Sequence, residues 1–276
     1  DGSIRIDQLT GVYAGIRVRL YGRLKPRAAQ PVKRPEKQQS QFVFITKALR
    51  ELNNLQGVEP PQLDVEFNLD LDAPLDSKVT AKLFAGKVTC RKIDVEKLSV
   101  DVQMAEGAID VREAVLSVGK GELSIHGRYD IAAGQFDLKL ESSLDPNLFL
   151  PSLPAELTNV IQDFHVYEPP KIAVRYVLAP ETGVTPVLQG RVEFGAVECR
   201  GVPFKRVEFA FENKGSDLTL ADVKVVMKAG QLTGHGRYNI ETSDFTYDLD
   251  STLDPRALLP LMPVTLGVSE SITICG

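Results

Sequence analysis

Residues 121–146 read GELSIHGRYDIAAGQFDLKLESSLDP, and residues 230–255 read GQLTGHGRYNIETSDFTYDLDSTLDP. The two copies align without a gap, and 15 of the 31 positions from Gly121 to Pro151 are identical to their partners. Within each copy, apolar and polar residues alternate, as they do on β-strands with one apolar and one polar face. The chain therefore contains an internal repeat built of short strands.

Two further motifs recur with the same offset and mark the limits of the repeat. Glu59-Pro60-Pro61 recurs at 168–170, and Cys90-Arg91 recurs at 199–200. Because Pro-Pro does not fit inside a central strand, it marks the start of each unit. We expect residues 1–58 to be the C-terminal part of a preceding unit, residues 59–167 a full unit, and residues 168–276 a full unit cut at its end. Both chain ends are expected to be cuts within a longer protein.

Short turns separate the alternating runs, for example at 106–107, 119–121 and 213–215. Strands that follow one another through tight turns pair antiparallel, because a parallel pair needs a long crossover connection. The sequence therefore predicts a mostly β fold in which an antiparallel meander is repeated.

Two helices and one loop are predicted between the strands. Residues 42–55 predict an amphipathic helix that covers an edge of the sheet or the mouth of a groove. A second short helix is expected at about 155–164, after a segment rich in leucine and proline. The basic stretch 25–41 predicts an exposed loop, and contact of this loop with anionic headgroups is the alternative.

Composition limits the possible functions. The chain has 276 residues and a net charge of −5, which argues against a nucleic-acid partner. No run approaches the roughly 18 apolar residues that a transmembrane helix needs. No Gly-x-Ser-x-Gly motif or phosphate-binding loop is present. We therefore expect a protein that is not an enzyme and that needs no cofactor.

The repeated polar residues are interpreted as structural. His126 and His235 recur without a neighbouring metal-ligating partner, so a structural histidine near a turn is expected rather than a metal site. Arg128 and Arg237 are expected to pair with Asp145 and Asp254. The three cysteines match no zinc spacing, and we expect them to be buried and unpaired. The aspartates of both Leu-Asp-Pro motifs are expected to cap a short helix.

The strand, turn and strand of residues 121–146, followed by a short segment rich in leucine and proline, resemble the AsmA-like proteins and their TamB relatives. These are bridge-like lipid-transfer proteins of bacteria with two membranes. The resemblance covers a little less than half of each unit, and the rest matches by strand pattern alone. The membrane anchor that this family carries at its N-terminus has no counterpart in the chain.

What the resemblance implies is a meander curled into an elongated, taco-like groove with short helices between the repeat units. Such a groove would bind or conduct phospholipid acyl chains between the inner and outer membranes and support outer-membrane biogenesis. The protein would lie in the periplasm, with its parent chain anchored in the inner membrane. No catalytic or metal-binding residues are implied, and protein partners stay open.

The candidate groove residues are those on the apolar register of the predicted strands. In the first full unit they are Leu63, Val65, Phe67, Leu69, Val79, Leu83, Leu98, Val100, Val102, Leu123, Ile125, Phe136, Leu138 and Leu140. In the second they are Val192, Phe194, Val207, Phe209, Phe211, Phe245, Tyr247 and Leu249.

A second hypothesis belongs to another class of protein. The chain would be a tandem β-sandwich with a structural or adhesive role, in which a partner sheet closes each apolar face and no lipid binds. Independent folding of the two full units distinguishes this hypothesis from a continuous groove.

Overall fold

A computed structural model describes residues 2–13, 15–26, 55–57, 59–90, 93–148, 162–179 and 184–261 of the chain. These residues form twenty strands. The first half contains β1 (Ile4–Tyr13), β2 (Ile16–Lys25), β3 (Leu55–Gly57), β4 (Gln62–Asp70), β5 (Lys78–Ala85), β6 (Val88–Cys90), β7 (Ile93–Val95), β8 (Lys97–Ala105), β9 (Ala108–Val118), β10 (Gly121–Asp130) and β11 (Gln135–Ser142). The second half contains β12 (Phe164–Val166), β13 (Lys171–Ala179), β14 (Val184–Phe194), β15 (Val197–Cys199), β16 (Val202–Phe204), β17 (Arg206–Lys214), β18 (Asp217–Met227), β19 (Gly230–Asn239) and β20 (Phe245–Ser251).

Fourteen of these strands form one large sheet. Their order is β1-β2-β4-β5-β8-β9-β10-β11-β13-β14-β17-β18-β19-β20, so the strands follow one another across the sheet in chain order. The other six form two small three-stranded sheets, β3-β6-β7 and β12-β15-β16. The prediction of a mostly β fold is confirmed.

The repeat is visible in the strands themselves. The small sheet β3-β6-β7 begins its strands at Leu55, Val88 and Ile93, and the starting points of β12, β15 and β16 follow these at the offset of the sequence repeat. Strands β8, β9 and β10 recur in the same way as β17, β18 and β19. Between the two copies, β11 pairs with β13 along a full ladder from Phe136↔Leu178 to Ser142↔Ile172. The large sheet therefore continues across the junction without a gap.

The expectation of a wholly antiparallel meander is wrong at one place. Strands β2 and β4 pair in parallel, with Val18 opposite Leu63 and Leu24 opposite Leu69. The connection between them runs from residue 26 to residue 61, which is long enough for a crossover. At the junction between the two full units, β11 lies between β10 and β13, so β10 and β13 run in the same direction. Among the described residues no counterpart of β11 lies between β2 and β4, and the two strands meet in parallel.

The predicted helices fall mainly outside the described residues. The described part of 42–55 is Leu55, which begins β3, and the loop expected at 25–41 is described only at its first two residues. Of the helix expected at 155–164, only 162–164 is described, and Phe164 already belongs to β12. The described helical segments are short 3-10 turns at Pro74–Asp76, 146–148 and Pro255–Leu261.

The small sheets pack on one side of the large sheet, at one end of its strands. In the first unit Val88 and Val95 are buried against Ala85, Leu98 and Leu116. The larger cluster of the second unit contains Val197, Val202, Phe204, Met227 and Leu253. Both clusters lie where β5, β9, β14 and β18 end and where β8, β10, β17 and β19 begin, and we call this border the closed rim. The opposite strand ends, where the described residues form only turns, are the open rim.

Candidate functional site: the apolar face of the large sheet

All 22 candidate groove residues lie on one face of the large sheet, which we call the apolar face. Residues directly opposite each other in a ladder project their side chains to the same side, so pairings can be followed from strand to strand. One such row crosses thirteen of the fourteen strands. It runs Val18, Leu63, Leu83, Val100, Ala114, Ile125, Leu140, Val174, Gly190, Phe211, Leu220, Gly236 and Tyr247. The other candidates occupy neighbouring rows.

Most of these side chains are half-buried rather than buried. Leu83 and Val192 are buried, whereas Phe245 and Tyr247 on the edge strand β20 are each 58% exposed. Away from the closed rim, the apolar side chains contact mainly their neighbours in the same sheet. The described residues therefore present a wide apolar surface that the small sheets cover at one border only.

The candidate list contains no residue from six strands of the large sheet, β1, β2, β9, β13, β18 and β19. On β9 the apolar positions are Ile109 and Val111 and then Ala114 and Leu116, because a bulge at Arg112 shifts the alternation by one residue. On β18 a bulge at the equivalent place moves the apolar positions from Leu218 and Leu220 to Val223 and Val225. Strict period-two counting fails at such a bulge. The sequence repeat was the available signal, because it aligns β9 with β18 residue by residue.

Glycines on the apolar face lie under large side chains from the neighbouring strand. A Cβ placed on Gly190 would be 2.8 Å from ring carbons of Phe211, and one on Gly127 would be 3.0 Å from a methyl carbon of Leu138. Gly234 stands in the same relation to Leu249. An aromatic or aliphatic side chain that covers a glycine in this way restores packing that the glycine lacks. Glycines and bulges also favour local bending of a sheet.

The opposite, polar face carries ion pairs between neighbouring strands. Arg19 binds Asp64 at 2.5 and 2.6 Å, and Arg175 binds Asp137 at 2.7 and 3.0 Å. The hydrogen bonds from these guanidinium groups hold the pKa of each aspartate below its usual value. Most of the side chains are well exposed, so each pair stabilises the fold only modestly. Because these charged side chains recur along the polar face, that face is hydrated, in contrast to the apolar face.

The repeated histidines lie in the middle of strands and not near turns as expected. His126 on β10 faces the β9 bulge, where its Nδ1 donates a hydrogen bond to the Arg112 carbonyl oxygen at 2.5 Å. Because the carbonyl can only accept, Nδ1 carries a proton, and Nε2 forms a hydrogen bond with the Ser124 hydroxyl at 3.2 Å. His235 faces the equivalent bulge of β18. These contacts give His126 a structural role in holding the bulge.

The predicted partners of Arg128 and Arg237 are wrong. Arg128 pairs with Asp110 at 3.1 Å, and Arg237 pairs with Asp217 at 2.8 Å. These aspartates lie near the open rim, as the arginines do, whereas Asp145 and Asp254 follow β11 and β20 at the closed rim. Asp145 instead accepts a hydrogen bond from the backbone N–H of Asn147 at 2.9 Å, so it caps a 3-10 turn.

The leucine of each Leu-Asp-Pro motif and the second proline of each Glu-Pro-Pro motif are buried. Leu144 and Leu253 are 1% and 7% exposed, and Pro61 and Pro170 are also buried. These residues of the repeated motifs therefore contribute to packing.

Two depressions are lined mainly by residues of the polar face. The larger, of about 510 Å³, is lined by polar-face residues that include Lys139, Arg175, Arg191 and Glu212, and also by the candidate residues Leu140 and Phe211. The smaller, of about 330 Å³, is lined in part by Glu122, Lys171 and Glu193. Charges of both signs surround each depression, so neither favours one class of charged ligand.

Cysteine chemistry and metal binding have little support in the described part of the chain. Cys199 is free and half-buried beside the second cluster, and burial raises the pKa of its thiol, which disfavours the reactive thiolate. Cys275 lies outside the described residues, and the side chain of Cys90 is not described. Within the described ranges no group of three or more histidine, cysteine or acidic residues is arranged to hold a metal ion.

No protein-family model matches the chain, and comparisons with curated proteins and with solved structures give no match. In the described ranges, no helix has the length and apolar character required to cross a membrane.

Proposed function

We propose that the apolar face binds phospholipid acyl chains and that the protein is a non-enzymatic lipid carrier of a bacterial envelope. In this proposal the sheet curls into an elongated groove, and lipid moves along it between the inner and outer membranes in support of outer-membrane biogenesis. The parent chain is anchored in the inner membrane, and the described part works in the periplasm. The resemblance of residues 121–146 and 230–255 to AsmA-like proteins supplies the biological setting.

The observation that carries the proposal is the row from Val18 to Tyr247, which consists of apolar residues and two glycines. Strands lie about 4.8 Å apart, so twelve intervals extend this row over about 58 Å. Each buried CH₂ of an acyl chain contributes about 0.8 kcal/mol. A lipid with two long chains therefore has enough apolar length to be held by this surface without a precise polar anchor.

Bulges and glycines support the curl that a groove requires. Register shifts occur in β9 and β18, at equivalent positions of the two units, and Gly127, Gly190 and Gly234 replace side chains on the apolar face. Each of these features bends or twists a sheet locally. These features lie on β9, β10, β14, β18 and β19, so they would distribute the bend over several places along the row.

The tandem β-sandwich is less well supported. That hypothesis needs a partner sheet over each apolar face, whereas the two small sheets pack only along the closed rim. It also needs separate units, whereas β11 and β13 pair along their whole length.

The proposal is tested by lipid extraction and mass spectrometry of the purified protein, beside native mass spectrometry of the intact species. Phospholipid at near-stoichiometric amounts is expected. Leu140→Glu places a charge on the apolar face and should remove most of the lipid, because a carboxylate resists transfer from water to hydrocarbon.

Lys139→Glu is the matched control, since it places the same carboxylate on the neighbouring residue of β11 but on the polar face. It should leave lipid occupancy unchanged. Equal loss from both variants, or a lipid-free wild-type protein, would contradict the proposal. Circular dichroism of both variants establishes that each retains its strands.

A further inference from the structure

The two rims of the apolar face differ in their side chains. At the closed rim the side chains beneath the small sheets are aliphatic or phenylalanine, as at Leu98, Leu116 and Phe194. At the open rim the last apolar positions of β10 and β19 are Tyr129 and Tyr238, which occupy equivalent positions of the two units. Tyrosine hydroxyl groups therefore recur at equivalent places on the open rim, while Tyr247 lies one row further in and Tyr13 lies at the opposite end of β1.

Aromatic rings accompany these tyrosines. The ring centroids of Tyr129 and Phe136 are 6.4 Å apart, and those of Phe136 and Tyr176 are 6.0 Å apart. Phe245 stands opposite Tyr238 in the second unit. Tyrosine has an apolar ring and a polar tip, and it is enriched where an apolar layer meets a polar one. The open rim has the chemistry of such a boundary.

The turns at the two rims also differ in charge. The five described turns of the open rim span residues 71–77, 106–107, 131–134, 215–216 and 240–244. They contain Asp72, Asp76, Glu106, Glu241 and Asp244 and no basic residue. All five carboxylates are exposed.

The two short hairpin turns of the closed rim, 119–120 and 228–229, contain Lys120 and Lys228 and no acidic residue, whereas its longer connections carry charges of both signs, such as Glu96 and Lys205. The exposed Lys78 and Lys214 flank the turns at the start of β5 and the end of β17, and Arg128 and Arg237 are paired with Asp110 and Asp217. The five carboxylates of the turns outnumber the two flanking lysines.

Backbone hydrogen bonds join successive turns of the open rim. The Gly107 N–H donates to the Leu75 carbonyl at 2.9 Å, and the Ile131 N–H donates to the Gly107 carbonyl at 2.9 Å. In the second unit the Ile240 N–H donates to the Ser216 carbonyl at 2.7 Å. These bonds link three turns of the first unit to one another and two turns of the second unit to each other.

We propose that a phospholipid binds the apolar face in one orientation, with its acyl chains toward the closed rim and a headgroup bearing a positive charge at the open rim. This proposal rests on the proposed function and adds the direction of the ligand and its headgroup class. An ethanolamine headgroup meets the requirement, because its ammonium group can lie among the carboxylates while the tyrosine hydroxyls remain beside its phosphate and glycerol oxygens. An anionic headgroup such as glycerol phosphate would be repelled there.

The orientation of the bound phospholipid is measured with single-tryptophan variants, since the chain contains no tryptophan of its own. Tyr129→Trp reports on the open rim, and Leu123→Trp reports on the row next to the closed rim. Each variant is mixed with phosphatidylethanolamine that carries a nitroxide either on its headgroup or near the end of an acyl chain. The headgroup label should quench Tyr129→Trp more strongly, and the chain-end label should quench Leu123→Trp more strongly.

Equal or reversed quenching would overturn the orientation and leave lipid binding intact. Absence of quenching by either label, in variants that keep their circular dichroism spectrum, would overturn the proposed function together with this inference. The two failures are therefore distinguishable.

Headgroup class is measured by competition between unlabelled phosphatidylethanolamine and phosphatidylglycerol in the same assay. We expect about threefold preference for the ethanolamine lipid at low salt, falling as salt screens the carboxylates. Glu106→Lys combined with Glu241→Lys should abolish the preference. Lys120→Glu at the closed rim is the control and should leave it unchanged. A preference for phosphatidylglycerol, or none at low salt, would overturn the headgroup assignment.

Discussion

The ring of Phe211 lies against Gly190 of the neighbouring strand, so closely that a Cβ on the glycine would meet two ring carbons at 2.8 Å. The two residues are directly opposite in the β14–β17 ladder, on the row that crosses thirteen strands. The same would-be Cβ lies 2.6 Å from the carbonyl oxygen of Ala173 on the other side. Gly190 thus makes space for an aromatic side chain that lies along the sheet.

Gly190→Ala should destabilise the protein by about 1–3 kcal/mol, because the added methyl group forces the ring and the Ala173 carbonyl to move. Gly236→Ala is the control, since its Cβ would have no neighbour closer than 3.3 Å. Denaturant unfolding followed by circular dichroism measures both. A smaller loss for Gly190→Ala than for Gly236→Ala would show that the ring adapts without cost.

Leu144→Ala should lower the free energy of unfolding by about 2–5 kcal/mol, the usual range for a buried leucine. Leu144 is only 1% exposed, and one of its methyl carbons would lie 2.9 Å from a Cβ on Gly121. Leu75→Ala, at a position that is 44% exposed, should change stability by no more than about 0.5 kcal/mol. The same unfolding assay compares them, and similar losses would contradict the packing role of the Leu-Asp-Pro motif.

Acid should destabilise the sheet through the ion pairs of the polar face. The pKa of Asp137 is lowered by its hydrogen bond with Arg175, and that of Asp217 is lowered in the same way by Arg237. A carboxyl group whose pKa is lower in the folded state stabilises the protein at pH values above its unfolded pKa of about 3.9. This stabilisation is lost as the pH falls through the pKa of the folded state.

Thermal unfolding between about pH 5 and pH 2 measures this contribution. Asp137→Asn should weaken the dependence of the midpoint on pH, and added salt should weaken it further. Asp250→Asn is the control, because no ion pair of Asp250 is found among the described residues. An unchanged pH dependence in Asp137→Asn would show that the Arg175 pair contributes nothing to stability.

Two halves of the chain, residues 1–148 and 162–276, should reassociate when mixed. The ladder between β11 and β13 joins them along seven residue pairs, and each half alone would expose apolar side chains and unpaired backbone groups. Size-exclusion chromatography with light scattering should find a one-to-one complex. A second half with Val174→Pro should not join it, because proline lacks the N–H that the ladder needs. Two folded halves that stay apart would favour independent units.

Sequence reasoning predicted the strands and the apolar face well because a repeat doubles each observation. The alternation of Leu138 and Leu140 is ambiguous alone, but its recurrence at Tyr247 and Leu249 makes the strand assignment firm. The register then follows, because each strand places its apolar residues on the side shared with its neighbours.

The sequence did not predict which strands lie beside each other in the sheet, and the reason is physical. The parallel contact of β2 with β4 depends on which strand lies between the two, and alternation carries no information on strand neighbours. The partners of Arg128 and Arg237 were missed for a different reason, since Asp145 and Asp254 lie at the rim opposite to the arginines. The bulges of β9 and β18 were missed because one extra residue reverses the alternation without any change in composition.

The strands of the large sheet follow one another in chain order, and this arrangement has a mechanical consequence. A force that pulls β1 and β20 apart acts across the ladders rather than along them, so hydrogen bonds would break a few at a time. Extension should therefore begin at the two edge strands and proceed inward at low load. The junction between β11 and β13 would open like any other ladder, and no separate force peak should mark the passage from one unit to the next.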